Sequence, residues 1–150
     1  MAIWQFCFNL LPENVEFFSK DFLINNQSIH MISQVLIPQA SWSEDNKVFG
    51  NIESTCLEIF YLNGFVDEIT VRIDAVNYSN EQIECIVQFA KINNLQMSYQ
   101  GKTIITSAEN ISQILISSEA YAFSCDSKGF FERTERTQGD GSPVLTKNHN

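Results

Sequence analysis

Two histidines and four cysteines are the side chains best suited to nucleophilic or metal chemistry here, and their spacing supports neither. His30 stands between Ile29 and Met31, and His149 falls in a polar C-terminal stretch. A Ser–His or Cys–His pair would have to rest on His30 alone, with no local signature beside it. His30 is therefore read as a structural residue. Cys7, Cys56, Cys85 and Cys125 are scattered, without a CxxC pair or a His at ligand spacing. A zinc site needs clustered ligands, so no metal is expected. Three of the four cysteines sit in apolar strand or helix patterns, where a thiol behaves as a small hydrophobe. Phosphate-cradling loops need glycines gathered before a helix. The six glycines are spread out, and the only Gly-x-Gly, Gly139 and Gly141, lies in the C-terminal stretch.

Carboxylate pairs are the remaining material for acid–base work. Glu44-Asp45 and Asp67-Glu68 are adjacent pairs in expected turn or hairpin positions, where solvation is the ordinary fate of such groups. Arg72 and Asp74 are spaced by two in an expected strand, so they share a face and have the spacing to pair there. They are either an ion pair steadying the sheet or part of a polar contact surface. Trp42, set among Ser41, Ser43, Glu44 and Asp45, either anchors an interface or folds back to cap the core. These seven residues (Trp42, Glu44, Asp45, Asp67, Glu68, Arg72 and Asp74) are the candidates for binding a partner. No catalytic, cofactor-binding or metal-binding residue emerges, and no enzyme is expected.

The charge balance narrows the partner. Nine basic residues stand against 18 acidic ones, a formal net of −9. Residues 1–127 hold 15 of the acids and 5 of the bases, so the acidity belongs to the body of the chain. Such a field repels nucleic acid and anionic membrane, whose phosphates need Lys or Arg. It attracts a basic protein surface and speeds encounter with it. Acidity for solubility alone is the plainer alternative. The N-terminus lacks the basic start and apolar run of a signal peptide. No stretch approaches 18 uninterrupted apolar residues, and reduced cytoplasm is the expected location.

The elements that must position these residues follow from periodicity. At 150 residues the chain has the length of one domain, able to bury about 70% of its unfolded surface without a metal or disulfide. Residues 3–11 read as a strand with Trp4, Phe6, Phe8 and Leu10 on one face. Residues 13–35 admit a short helix or a packed irregular segment. Residues 52–62 and 65–76 read as a hairpin turned at Asn63-Gly64. Ser79 and Gln82 have capping-box spacing, and Ile83, Ile86, Val87 and Ala90 form one apolar stripe of a helix closed by Asn93-Asn94. Two short strands follow, Leu95–Gln100 and Lys102–Thr106. A second helix is expected from Thr106 or Ser107, with Glu109 at the complementary cap position. The expected class is α+β, an antiparallel sheet of about five strands with two or three helices packed on one face. The domain is expected over 1–133, with 134–150 a flexible tail.

Several segments together carry a family resemblance. They are Trp4-Gln5-Phe6-Cys7-Phe8-Asn9, Ser41-Trp42-Ser43-Glu44 with Phe49-Gly50, and Val71-Arg72-Ile73-Asp74. A later helix with Ser118, Ala120 and Phe123, then Asp126 and Phe130, completes the set. Over about residues 3–131 the chain resembles the small immunity proteins that bacteria encode beside polymorphic or contact-dependent toxins. That resemblance implies a cytoplasmic protein that binds one cognate toxin domain and blocks its active site or assembly. Such toxins are often basic nucleases, so an acidic inhibitor occupies the site meant for nucleic acid. Interface residues do not carry over by position in this diverse family. The alternative class is an acidic secretion chaperone or another small protein-binding adaptor, although those chaperones usually begin with a helix.

Overall fold

A computed structural model describes residues 3–40 and 43–125, and everything below concerns those residues. Trp42 and the expected tail, residues 134–150, lie outside them.

The chain order is β1 (Gln5–Pro12), α1 (Asn26–Val35), β2 (Pro38–Gln39), β3 (Asn46–Gly50), β4 (Cys56–Leu62), β5 (Phe65–Asp74), α2 (Asn80–Ile92), β6 (Leu95–Tyr99), β7 (Lys102–Ile104), α3 (Ala108–Ile116) and α4 (Glu119–Cys125). The strands form one seven-stranded sheet in the order β2-β3-β4-β5-β1-β6-β7, and every described pairing is antiparallel. The α+β class stands. The sheet has seven strands rather than about five, and there are four helices rather than two or three. The extra strands are β2, of two residues, and β3, whose Asn46-Lys47-Val48-Phe49-Gly50 is too short and polar to show a period.

Alternation along the strands gives the sheet two unlike faces. Phe6, Phe8 and Leu10 of β1, Leu57 and Ile59 of β4, and Ile69, Val71 and Ile73 of β5 join Leu95 and Met97 of β6 in one core. Ile32 and Leu36, at the end of α1, Ile86 and Phe89 of α2, Ile111 and Leu115 of α3, and Ala120 of α4 belong to the same core. Each fully buried Leu, Ile or Phe contributes roughly 1.5–3 kcal/mol relative to exposure. The opposite face carries Cys7 and Asn9, then Thr70 and Arg72, then Cys56 and Glu58, as the register dictates.

Helix α1 occupies the second part of the 13–35 segment, whose sequence admits a short helix. Asn25 is its N-cap, accepting a hydrogen bond from Ser28 N at 3.0 Å, so Asn25-Asn26 opens a helix. Residues 13–25 are irregular despite the helical spacing of Val15, Phe18 and Phe22. Helix α2 has its capping box: Ser79 Oγ accepts from Gln82 N, and Gln82 Oε1 accepts from Ser79 N. For α3 the cap is Ser107, which makes Asn110 the third helical residue and leaves Glu109 outside the reciprocal position.

Gly50 ends β3 at φ +95°, and a Cβ there would stand 2.4 Å from Thr55 O. No non-glycine residue fits that approach. The 51–55 turn then folds back over β1, where Gln5 Nε2 donates to Ile52 O and Ser54 O.

Candidate functional site

The polar face of the sheet holds an ion pair. Arg72 Nη2 lies 3.3 Å from Glu58 Oε1, and the Glu58 side chain is 2% exposed against 23% for Arg72. Arg72 does not pair with Asp74, although two-residue spacing puts both on one face. Asp74 is committed elsewhere: it accepts from Ser54 Oγ at 2.8 Å and from the backbone N–H groups of Val76 and Asn77. Its own N–H donates to Thr55 Oγ1. A carboxylate so engaged caps a turn. Glu58 takes its place because register sets Cys56 opposite Arg72 and Glu58 opposite Thr70, one diagonal step away.

Two thiols flank the guanidinium, Cys7 from β1 and Cys56 from β4. Burial pushes the Cys56 thiol up to about 12, reinforced by the nearby Glu58 carboxylate. Burial also raises Cys7, with the Arg72 charge pulling partly back. Both are protonated and poorly nucleophilic at neutral pH. Among the described residues no group of three or more His, Cys, Asp or Glu side chains could hold a metal ion. His30 is exposed on α1.

The other candidates gather at one end of the sheet. The β4–β5 hairpin turns there at Asn63 (φ 54°) and Gly64 (φ 84°), the left-handed pair of a primed turn. Pairing runs from Phe60–Glu68 to Tyr61–Val66, so Asp67 is an extra residue in a bulge. A bulge re-aims side chains that would otherwise alternate. Asp67 and Glu68 accordingly line the same cleft, of about 270 Å³, with Glu16 and Phe17. Asp45 joins this end through its carbonyl, which accepts from Tyr61 N at 2.8 Å, and exposed Glu44 precedes it. Four of the seven sequence candidates are thus brought together. Arg72 sits mid-sheet and Asp74 six residues along β5 from Glu68.

The apolar partners of these carboxylates carry no signal in periodicity. Leu23 and Phe17 are the two most exposed large apolar side chains of the described residues, at 84% and 78%. Leu62 and Phe65 of the hairpin are also exposed. Single exposed apolar residues are ordinary, but Phe17 lines the cleft of Asp67 and Glu68, and Leu23 and Phe65 line a second cleft by the same hairpin. Their one sequence cue is that the 13–25 segment repeats Phe without fitting a helix.

No protein-family model matches the chain, no curated protein matches its sequence, and no solved structure matches it. No helix among the described residues is long and apolar enough to cross a membrane.

Proposed function

We propose that this chain is an immunity protein, which binds a cognate toxin domain and neutralises it by occluding its active site or assembly. The observation that carries the reading is the acid-rimmed apolar end of the sheet. Phe17 stands exposed beside Glu16, Asp67 and Glu68 in one cleft, Leu23 and Phe65 line the next cleft along the hairpin, and Leu62, Glu44 and Asp45 are exposed near the same end. Apolar anchors supply the desolvated centre of an interface, and the rim of charge steers the encounter. A rim of carboxylates selects a basic surface, such as the nucleic-acid groove of a nuclease. Close charge pairs at such interfaces are worth about 1.5–7 kcal/mol by double-mutant cycle.

The experiment is the association rate of the purified chain with the toxin domain encoded beside it, followed from low to high salt. The expected rate falls at least roughly 10-fold as screening shortens the range of the field. A salt-independent rate removes the electrostatic mechanism, and no association at any salt removes the immunity reading.

A further inference from the structure

The β4–β5 hairpin separates a cleft lined by carboxylates from one lined by lysines. On one side Asp67 and Glu68 stand with Glu16 around Phe17. On the other, a cleft of about 340 Å³ opens between Phe22 and Ile29 and the hairpin residues Tyr61, Phe65 and Val66. Lys20 and Lys47 both line this second cleft. The Lys20 ammonium lies 5.7 Å from the centre of the Phe65 ring, and that of Lys47 lies 5.6 Å from the centre of Tyr61. Among the described residues the one ion pair is Arg72–Glu58, so neither lysine has a carboxylate partner there. The ring contacts hold each ammonium by the cleft and leave its N–H donors unused.

We infer that this cleft receives one apolar side chain of the partner protein, standing within a residue of a carboxylate that meets Lys20 and Lys47. The inference rests on reading this end of the sheet as the partner-binding surface. A cleft of about 340 Å³ has room for one large side chain and the charged group beside it. Apolar walls with two cations and no anion among the lining residues select an apolar group that carries negative charge. The two clefts also fix orientation, because a reversed partner sets its carboxylate against Asp67 and Glu68.

The test is an NMR titration of the full chain with N-acetyl-L-phenylalaninate and, separately, with the uncharged N-acetyl-L-phenylalanine amide. Amide shifts are expected to centre on residues 20–29 and 61–66, with the carboxylate binding roughly 3-fold or more tighter than the amide. The double variant K20Q/K47Q, altered only at exposed positions, should bind the two probes equally. Equal affinity for both probes in the unaltered chain, or shifts centred elsewhere, overturns the proposal. A dimer by light scattering that K20E/K47E dissociates places the carboxylates of a second copy in the cleft, and overturns it too. If the probes fail while toxin binding still depends on Phe17 and Asp67, the cleft assignment fails alone. If the probes bind as expected and no toxin domain does, the immunity reading fails instead.

Discussion

Arg72 and Glu58 meet at 3.3 Å across adjacent strands, with Glu58 almost wholly buried and Arg72 about a quarter exposed. Neither Glu58 Oε1 nor Arg72 Nε has a hydrogen-bond partner, so the pair is held by charge more than by aligned hydrogen bonds. Removing one member leaves the other uncompensated, which in buried pairs costs roughly 3–5 kcal/mol. The partial exposure of Arg72 argues for the lower end, about 3 kcal/mol, for Glu58→Leu. The double variant Glu58→Leu/Arg72→Leu should recover most of that loss. Urea unfolding of the three proteins checks it, and equal losses in single and double variants contradict the account.

Asn93 ties two helices together. Its side chain accepts from Asn25 N at 2.8 Å and donates to Ser28 Oγ at 2.9 Å and to Phe89 O at 2.8 Å, all at the C-terminus of α2. The residue is buried. Asn93→Leu keeps the volume and strands these groups, at a cost of about 2–3 kcal/mol. Hydrogen exchange should also rise in α1 more than in the central strands. An unchanged denaturation midpoint contradicts the network's role.

The thiols make stability pH-dependent on the alkaline side. Burial raises Cys56 to about 12 and moves Cys7 and Cys85 in the same direction. Unfolded thiols ionise from about pH 8.5. Above that pH the folded chain keeps protons that the unfolded chain has lost, so stability falls as pH rises. The contribution is complete below about pH 8.5 and, for Cys56, is lost progressively up to about pH 12, at no more than roughly 1.4 kcal/mol per pH unit. Denaturant midpoints measured from pH 8 to 11 should decline, and less steeply in Cys56→Ala. A variant with an unchanged slope contradicts the assignment.

Gly50 and Gly64 share a left-handed backbone but not a fate on substitution. Gly64 has open space where a Cβ would stand, whereas at Gly50 the backbone oxygen of Thr55 is in the way. Gly64→Ala should cost about 1 kcal/mol, the strain of the turn alone. Gly50→Ala should exceed it, at roughly 3 kcal/mol, because the chain must shift. Thermal denaturation of the two variants ranks them, and similar losses contradict the close approach.

Local signals were legible in the sequence, and pairings between distant segments were not. Ser79 with Gln82, Asn63-Gly64 and the Phe6-Phe8-Leu10 alternation each act within a few residues, and each recurs in the structure. The partner of Arg72 depends on the β4–β5 register, which brings Glu58 from 14 residues away; spacing along one strand suggested Asp74 instead. The bulge at Asp67 was hidden for the same reason, since it exists only relative to Phe60 and Tyr61. Asn25-Asn26 shows the ambiguity of one residue type, which stops some helices and caps others. The exposure of Phe17 and Leu23 carries no sign in the sequence, because apolarity does not reveal which side chains are left uncovered.

The central claim is that the acid-rimmed apolar end neutralises a toxin. Its most direct test is growth of bacteria expressing the toxin domain encoded beside this chain's gene, with the chain or with its Phe17→Ala/Asp67→Lys/Glu68→Lys variant. All three substitutions are at exposed positions, and the variant is expected to keep its melting temperature within a few degrees. The account predicts full growth with the unaltered chain and loss of growth with the folded variant. Protection by the variant equal to that by the unaltered chain, or no protection by either, contradicts it.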